Sequence, residues 1–168
     1  DGTTNRQIIR LNTTTSGDQE NPAIASTPTG FVVIWESFGQ DGSGDAIVHR
    51  FVDIDGNGNP SFRAEVRSNE FTTNNQDQPS VAVNSSGVEF AVWNTVDHFD
   101  GSQGVVVNSL SPTTRGADVE LTDAVNVNST PNIIALAGGN FLVSFIGSTG
   151  TEAHIISPVF SDVADGSG

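Results

Sequence analysis

Pro22-Ala23-Ile24-Ala25-Ser26-Thr27-Pro28-Thr29-Gly30-Phe31-Val32-Val33-Ile34-Trp35 holds two apolar runs either side of a Pro/Thr/Gly turn. Short runs rich in Val, Ile and aromatics, bounded by turn residues, read as strands, and so tight a turn predicts a hairpin. The pattern returns twice. Pro79 leads to Val81-Ala82-Val83, a turn around Ser86-Gly87 and Phe90-Ala91-Val92-Trp93. Pro131 leads to Ile133-Ile134-Ala135, a turn at Gly138-Gly139 and Phe141-Leu142-Val143-Ser144-Phe145. The prolines stand 57 residues apart (22 to 79) and then 52 (79 to 131), a spacing that marks internal repetition. Trp35, Trp93 and Phe145 share one position in the three copies and read as packing anchors rather than as a stacking platform for a ligand.

Working outward, a third strand is expected at Ala46 to Phe51, Gly104 to Leu110 and Ala153 to Phe160, and a fourth at Ala64 to Asn69 and Asp118 to Thr122. The third copy stops before a fourth strand. Gln7-Ile8-Ile9-Arg10-Leu11-Asn12 aligns with the fourth strand of the first copy, so the amino end is expected to complete the last sheet. The expected fold class is all-β: three four-stranded antiparallel repeat units, each like a β-propeller blade. One domain spans 1–168, with an N-terminal strand region at 1–17 and repeats at about 18–74, 75–126 and 127–168. Closed propellers usually hold about four to eight blades. Three units therefore imply a longer array, a six-unit ring of two chains, strand exchange into a filament, or a compact threefold fold such as a β-trefoil or β-prism.

Composition narrows the function. The chain of 168 residues has no cysteine, which removes disulfides, thiol catalysis and thiolate metal sites. Its net charge of −14 comes from 20 acidic against 6 basic residues, all arginine, so phosphate backbones are repelled and nucleic acid is not an expected partner. No apolar run reaches the roughly 20 residues of a membrane helix. A start at Asp1 without methionine fits a processed product or a cut fragment.

The third-to-fourth-strand loop and the turn before the third strand bear on calcium. Asp53, Asp55, Asn57 and Asn59 place oxygen side chains at alternate positions with Gly58 in sixth place, as the first half of an EF-hand loop does; Ala64 stands where the closing acid belongs. The same stretch also reads as a Gly/Asn hairpin that needs no metal. Asp41 and Asp45 flank a Gly-Ser-Gly turn and are four residues apart, close enough in sequence to share a cation, although Asp-Gly turns are common without one. His49, His98 and His154 occupy non-equivalent points with no catalytic motif around them, and they read as ordinary hydrogen-bonding residues. Glu36, Asp41, Asp97 and Asp100 are the carboxylates a glycosidase would draw on, but nothing in their spacing shows any two at the separation such chemistry requires. Asn12, Asn84 and Asn128 open glycosylation triplets.

The motifs Asp18-Gln19, Pro22, Gly30 to Trp35, Gln40-Asp41-Gly42-Ser43-Gly44, Arg50-Phe51, Asp53 to Pro60 and Glu65 to Asn69 resemble the Asp- and Gly-rich repeats of large bacterial secreted and surface proteins. Those repeats often accompany calcium-binding RTX segments. The likeness covers most of the chain and thins in the second and third copies, where Ser109-Leu110 stands in place of Arg-Phe. The resemblance implies an extracellular or cell-surface location, calcium as the bound ion, and no catalytic activity. The favoured expectation is a calcium-stabilised repeat module for cell-surface adhesion or matrix binding, whose partners are surface or matrix glycans, proteins, or further copies of itself. Behind it stand a structural fibre subunit that polymerises by N-terminal strand exchange and a carbohydrate-binding, lectin-like module.

Overall fold

The computed structural model describes residues 8–96, 103–111, 113–114, 116–122 and 129–158. These residues form strands and turns and no helix, so none is long and apolar enough to cross a membrane. Eleven strands follow in chain order: β1 (Gln19–Thr27), β2 (Gly30–Phe38), β3 (Asp45–Ile54), β4 (Pro60–Arg67), β5 (Gln76–Val83), β6 (Glu89–Val96), β7 (Gln103–Ser109), β8 (Val119–Thr122), β9 (Asn132–Ala135), β10 (Phe141–Gly147) and β11 (Gly150–Ile156). They make three antiparallel sheets, ordered β1-β2-β3-β4, β5-β6-β7-β8 and β11-β10-β9. The hairpin expected between Ala25 and Phe31 is closed by pairing of Thr27 with Gly30. Its turn tucks under β3, and a Cβ on Gly30 would sit 2.1 Å from the Val52 carbonyl oxygen.

The prolines mark bulges. The ladder slips between Glu20 and Ala23 in β1 and between Asp77 and Ser80 in β5. In each case the residue before the proline is left-handed, Asn21 at φ 46° and Gln78 at φ 56°. Proline lacks the N–H a ladder needs, and a bulge is where a sheet tolerates that loss.

Because side chains alternate across a strand, each sheet has two faces, and the three sheets stack like layers. Val32, Ile34, Ile47 and Phe51 of the first sheet meet Val81, Ala91, Trp93 and Val106 of the second. The opposite face of the second sheet, with Ala82, Val92, Val105 and Val107, meets Ile133, Phe141, Val143 and Phe145 of the third. The outer face of the first sheet buries Val33, Trp35, Ala46 and Val48, with Leu11 and Phe31 packed against them. Trp35, Trp93 and Phe145 are thus core residues: Trp93 and Phe145 are each turned towards the preceding sheet, and Trp35 towards the outer face on which Leu11 packs.

The amino-terminal segment departs from expectation. Residues 8–12 form no strand and do not join the third sheet, which has three strands among the described residues. They lie instead at the other end of the stack, where Leu11 packs on the first sheet and Arg50 Nη1 donates to its carbonyl. The Glu65 carboxylate adds bonds from the Thr13 amide and hydroxyl and from the Thr14 hydroxyl. With the whole second sheet in between, a segment held there cannot also border the third sheet of its own molecule. The expected third-sheet strand running to Phe160 ends at Ile156, and residues 159–160 lie outside the described residues.

Candidate functional site

The calcium-like spacing of 53–59 turns out to be spent on the hairpin itself. Asp53 accepts from Arg63 Nε at 2.6 Å and from the Thr29 hydroxyl, and these bonds hold its carboxyl below the usual carboxylate range. Asp55 accepts from the side chain and backbone of Asn59 and from the Asn57 amide, which also lowers it. One carboxylate is therefore neutralised by an arginine across the hairpin, and the other closes the turn as an Asx motif. Both carboxylates of the set Asp53, Asp55, Asn57 and Asn59 are thus engaged within the hairpin in this structure.

Asp41 and Asp45 sit differently. Asp41 accepts from the Ser43 amide, two residues on, and from Asn69 Nδ2 at the end of β4. Gly44 lets the turn lie against the segment before β5: at φ 32°, with a Cβ that would fall 2.2 Å from Asn75 Oδ1, only glycine is accommodated. Asn75 Oδ1 then accepts from the Asp45 amide, and the Ser43 hydroxyl oxygen from the Asn74 amide. The Asp41–Asp45 turn is thereby pinned between the first and second sheets.

Further acids gather at this junction. Burial, then Asp18 and Asp41, raise the Asp45 carboxyl. Burial, then Glu36 and Asp45, push Asp77 up to about 6. Glu36, itself buried, accepts from the Asn21 side chain and from the Gln78 amide, so one carboxylate ties the bulge of β1 to the bulge of β5. Among the described residues no ion pair neutralises Asp18, Glu36, Asp41, Asp45 or Asp77. Nor do three of them converge into a ready-made cage of acidic and histidine side chains. The region is a carboxylate-rich seam with amide, hydroxyl and carbonyl oxygens beside it, of the hard-donor chemistry that suits calcium.

Asp77 supplies a pH prediction. Its folded value of about 6 lies above the ordinary 3.8, so the folded chain holds this proton more tightly than the unfolded chain does. Stability from this group therefore falls as pH rises between those two values, and the full cost stands above them. Asp77→Asn is expected to stabilise the calcium-free protein at neutral pH by about 1 kcal/mol, the shift being discounted for solvent at a half-exposed side chain. Urea melts would show the gain shrinking towards pH 4, and an unchanged difference across that range would contradict it.

His49 is fully buried, with Nδ1 2.8 Å from the Ser68 hydroxyl and Nε2 2.8 Å from the Ser111 carbonyl. A carbonyl only accepts, so Nε2 carries the proton and Nδ1 accepts from Ser68. Burial lowers the ring, although the Ser111 carbonyl opposes that, and His49 acts as a neutral strut between sheets. His154 lies beside Phe145 and 3.8 Å from Glu152. Asn84 is buried with its amide donated to the Gly139 carbonyl, which occupies that nitrogen within the fold. His98, Asp97, Asp100 and Asn128 lie outside the described residues.

Glu36 and Asp77 were not marked as ion ligands in the sequence, and neither was Asp18. Glu36 and Asp77 are far apart along the chain and come together where the first sheet packs on β5. The one signal that could have found Asp77 is its place just before a bulge proline, aligned with Glu20. A scan of the chain against protein-family models and a search of curated proteins both return no match.

Proposed function

We propose that the chain is an extracellular repeat module that binds a surface or matrix partner rather than catalysing a reaction, with calcium bracing its stacked sheets at the Asp41–Asp45 turn. The observation that carries the ion is the carboxylate seam between the first two sheets: the Asp41–Asp45 turn is hydrogen-bonded to Asn74 and Asn75, and, behind burial, Asp18 and Asp41 raise Asp45 while Glu36 and Asp45 raise Asp77. A divalent ion there would remove the repulsion and tie the turn, β1 and β5 together. Asp41 and Asp45 are the residues that would hold it, with Asp18 and Asp77 as neighbours. The adhesive role and the location rest on the sequence resemblance.

Equivalent bonds support the repeat reading. Arg50 Nη1 donates to the Leu11 carbonyl, and Asn108 Nδ2 to the Ser68 carbonyl. The Thr13 amide donates to Glu65, and the Glu70 amide to Asp118. Asn12 Nδ2 reaches the Thr14 carbonyl as Asn69 Nδ2 reaches that of Phe71. Residues 11–14 thus meet the first sheet as residues 68–71 meet the second.

Thermal melts test the ion. Free calcium a hundredfold above its Kd is expected to stabilise the fold by about 2.7 kcal/mol, or about 5–10 °C in Tm, and chelator should reverse the shift. Asp45→Asn should remove most of the response, whereas Asp53→Asn should leave it. Equal melts in calcium and chelator would take the ion out of the account. Binding to immobilised matrix proteins and glycans, measured with and without calcium, tests the adhesive role; no retention on any surface would remove it.

A further inference from the structure

The stack has two unlike ends. In the third sheet the face turned away from the second sheet carries Asn132 and Ile134 of β9, Leu142, Ser144 and Ile146 of β10, and Thr151, Ala153 and Ile155 of β11, as the registers show. Ile134, Ile146 and Ile155 are 54%, 43% and 68% exposed, and no residue of that face is charged in a chain of net charge −14. The corresponding faces of the first and second sheets are each covered by the next layer. The outer edge of this sheet is open as well: β3 carries β4 and β7 carries β8, while β11 has no partner on that side among the described residues.

The other end is its complement. The outer face of the first sheet bears Trp35, as the covered faces bear Trp93 and Phe145, and it leaves Ile24 65% exposed beside it. Residues 9–12 stand in front of that sheet as 66–69 stand in front of the second. Within the chain, residues 66–69 belong to the edge of the preceding sheet: Val66 and Arg67 pair with β3, and the Ser68 amide donates to the Ile47 carbonyl. Residues 9–12 make the forward contacts of such an edge with no sheet behind them among the described residues, and Ile8 is 98% exposed.

We infer that the third sheet docks onto the first sheet of a second copy of this chain, head to tail, with residues 9–12 of that copy running along the open edge of β11. The occupant follows from the two interfaces inside the molecule, which repeat one rule: the aromatic face of one sheet covers the opposite face of the sheet before it, and the joining segment forms that sheet's edge. A lone third sheet facing another third sheet would satisfy the apolar face but neither open edge. The contact is heterologous, so two copies that meet at both ends close, and copies that cannot close form a filament. It stands independently of the calcium reading.

Sedimentation velocity of the whole chain over a range of concentrations, in buffers of low and moderate salt, reads the association. Self-association is expected, and stronger at higher salt, because the copies repel through their net charge while the docking face is neutral. Ile155→Glu on the third sheet and Ile24→Glu on the first should each weaken it at least about tenfold, both positions being exposed enough to leave the fold intact. Mixing the two variants should restore a one-to-one complex, since each keeps the end the other lacks. A monomer at every concentration overturns the proposal. So does association that Ile24→Glu leaves untouched, which would mean third sheet on third sheet, and so does a mixture that stays monomeric.

Discussion

Trp93→Ala is expected to lower the stability of the protein by about 3–5 kcal/mol, the largest loss from any single truncation in the chain. The indole is fully buried between the first two layers, against Val32, Ile34, Ile47 and Phe51 on one side and Val81, Ala91 and Val106 on its own. Backbone ladders on both sheets hold those neighbours apart, so they cannot close over the space an indole leaves. Out of a typical 5–15 kcal/mol for a domain, such a loss is a large fraction. Trp35→Ala should cost less, although Trp35 is only 4% exposed, because its cover is the segment around Leu11 rather than a second sheet. The phenylalanine variants should rank the other way. Trp35 Nε1 donates to Gln19 Oε1 at 2.9 Å, and phenylalanine would strand that acceptor. Trp93 Nε1 and Gln76 Oε1 are both buried without hydrogen-bond partners among the described residues, so Trp93→Phe discards an N–H that makes no bond there. Urea unfolding of the four variants checks the order, and a loss below about 2 kcal/mol for Trp93→Ala would mean that the first two layers do not unfold as one core.

Strand existence and core identity were legible because they are local: alternation and turn chemistry within Pro22 to Trp35 need no knowledge of the rest of the chain. The meaning of Ile9 to Asn12 was half legible. Its match to Val66 to Asn69 was visible and is mirrored in the bonds from Arg50 and Asn108, but a match says nothing about which sheet, in which molecule, the segment borders. The bonds of the 53–59 loop were illegible because spacing counts oxygens within a loop and is blind to an arginine brought over from the partner strand. Arg63 reaches Asp53 only because β3 pairs with β4 around that turn. The carboxylate seam was illegible for the converse reason. Glu36 and Asp77 face one another through layer stacking, and no periodicity within either stretch encodes it.

Asn69→Ala should cost about 3 kcal/mol, from a side chain of ordinary size with no apolar surface to lose. Asn69 is fully buried and makes three bonds: its Oδ1 accepts from the Ile47 amide at 3.0 Å, and its Nδ2 donates to Asp41 Oδ2 at 2.8 Å and to the Phe71 carbonyl at 2.7 Å. Alanine would leave a buried amide at the start of β3 and a carbonyl after β4 without these partners, and unmet polar groups are costlier than the bonds themselves are stabilising. Losing the Asp41 contact frees the turn on which calcium is proposed to sit, so the variant should also show a smaller rise in Tm with calcium than the parent. Asn12→Ala is the control. It removes the matching local bond to the Thr14 carbonyl and nothing that reaches Asp41, and it should cost under about 1 kcal/mol with the calcium response intact. If both variants lost stability equally and kept equal calcium shifts, Asn69 would be only a turn residue, and the link between the end of β4 and the acidic seam would carry no energy.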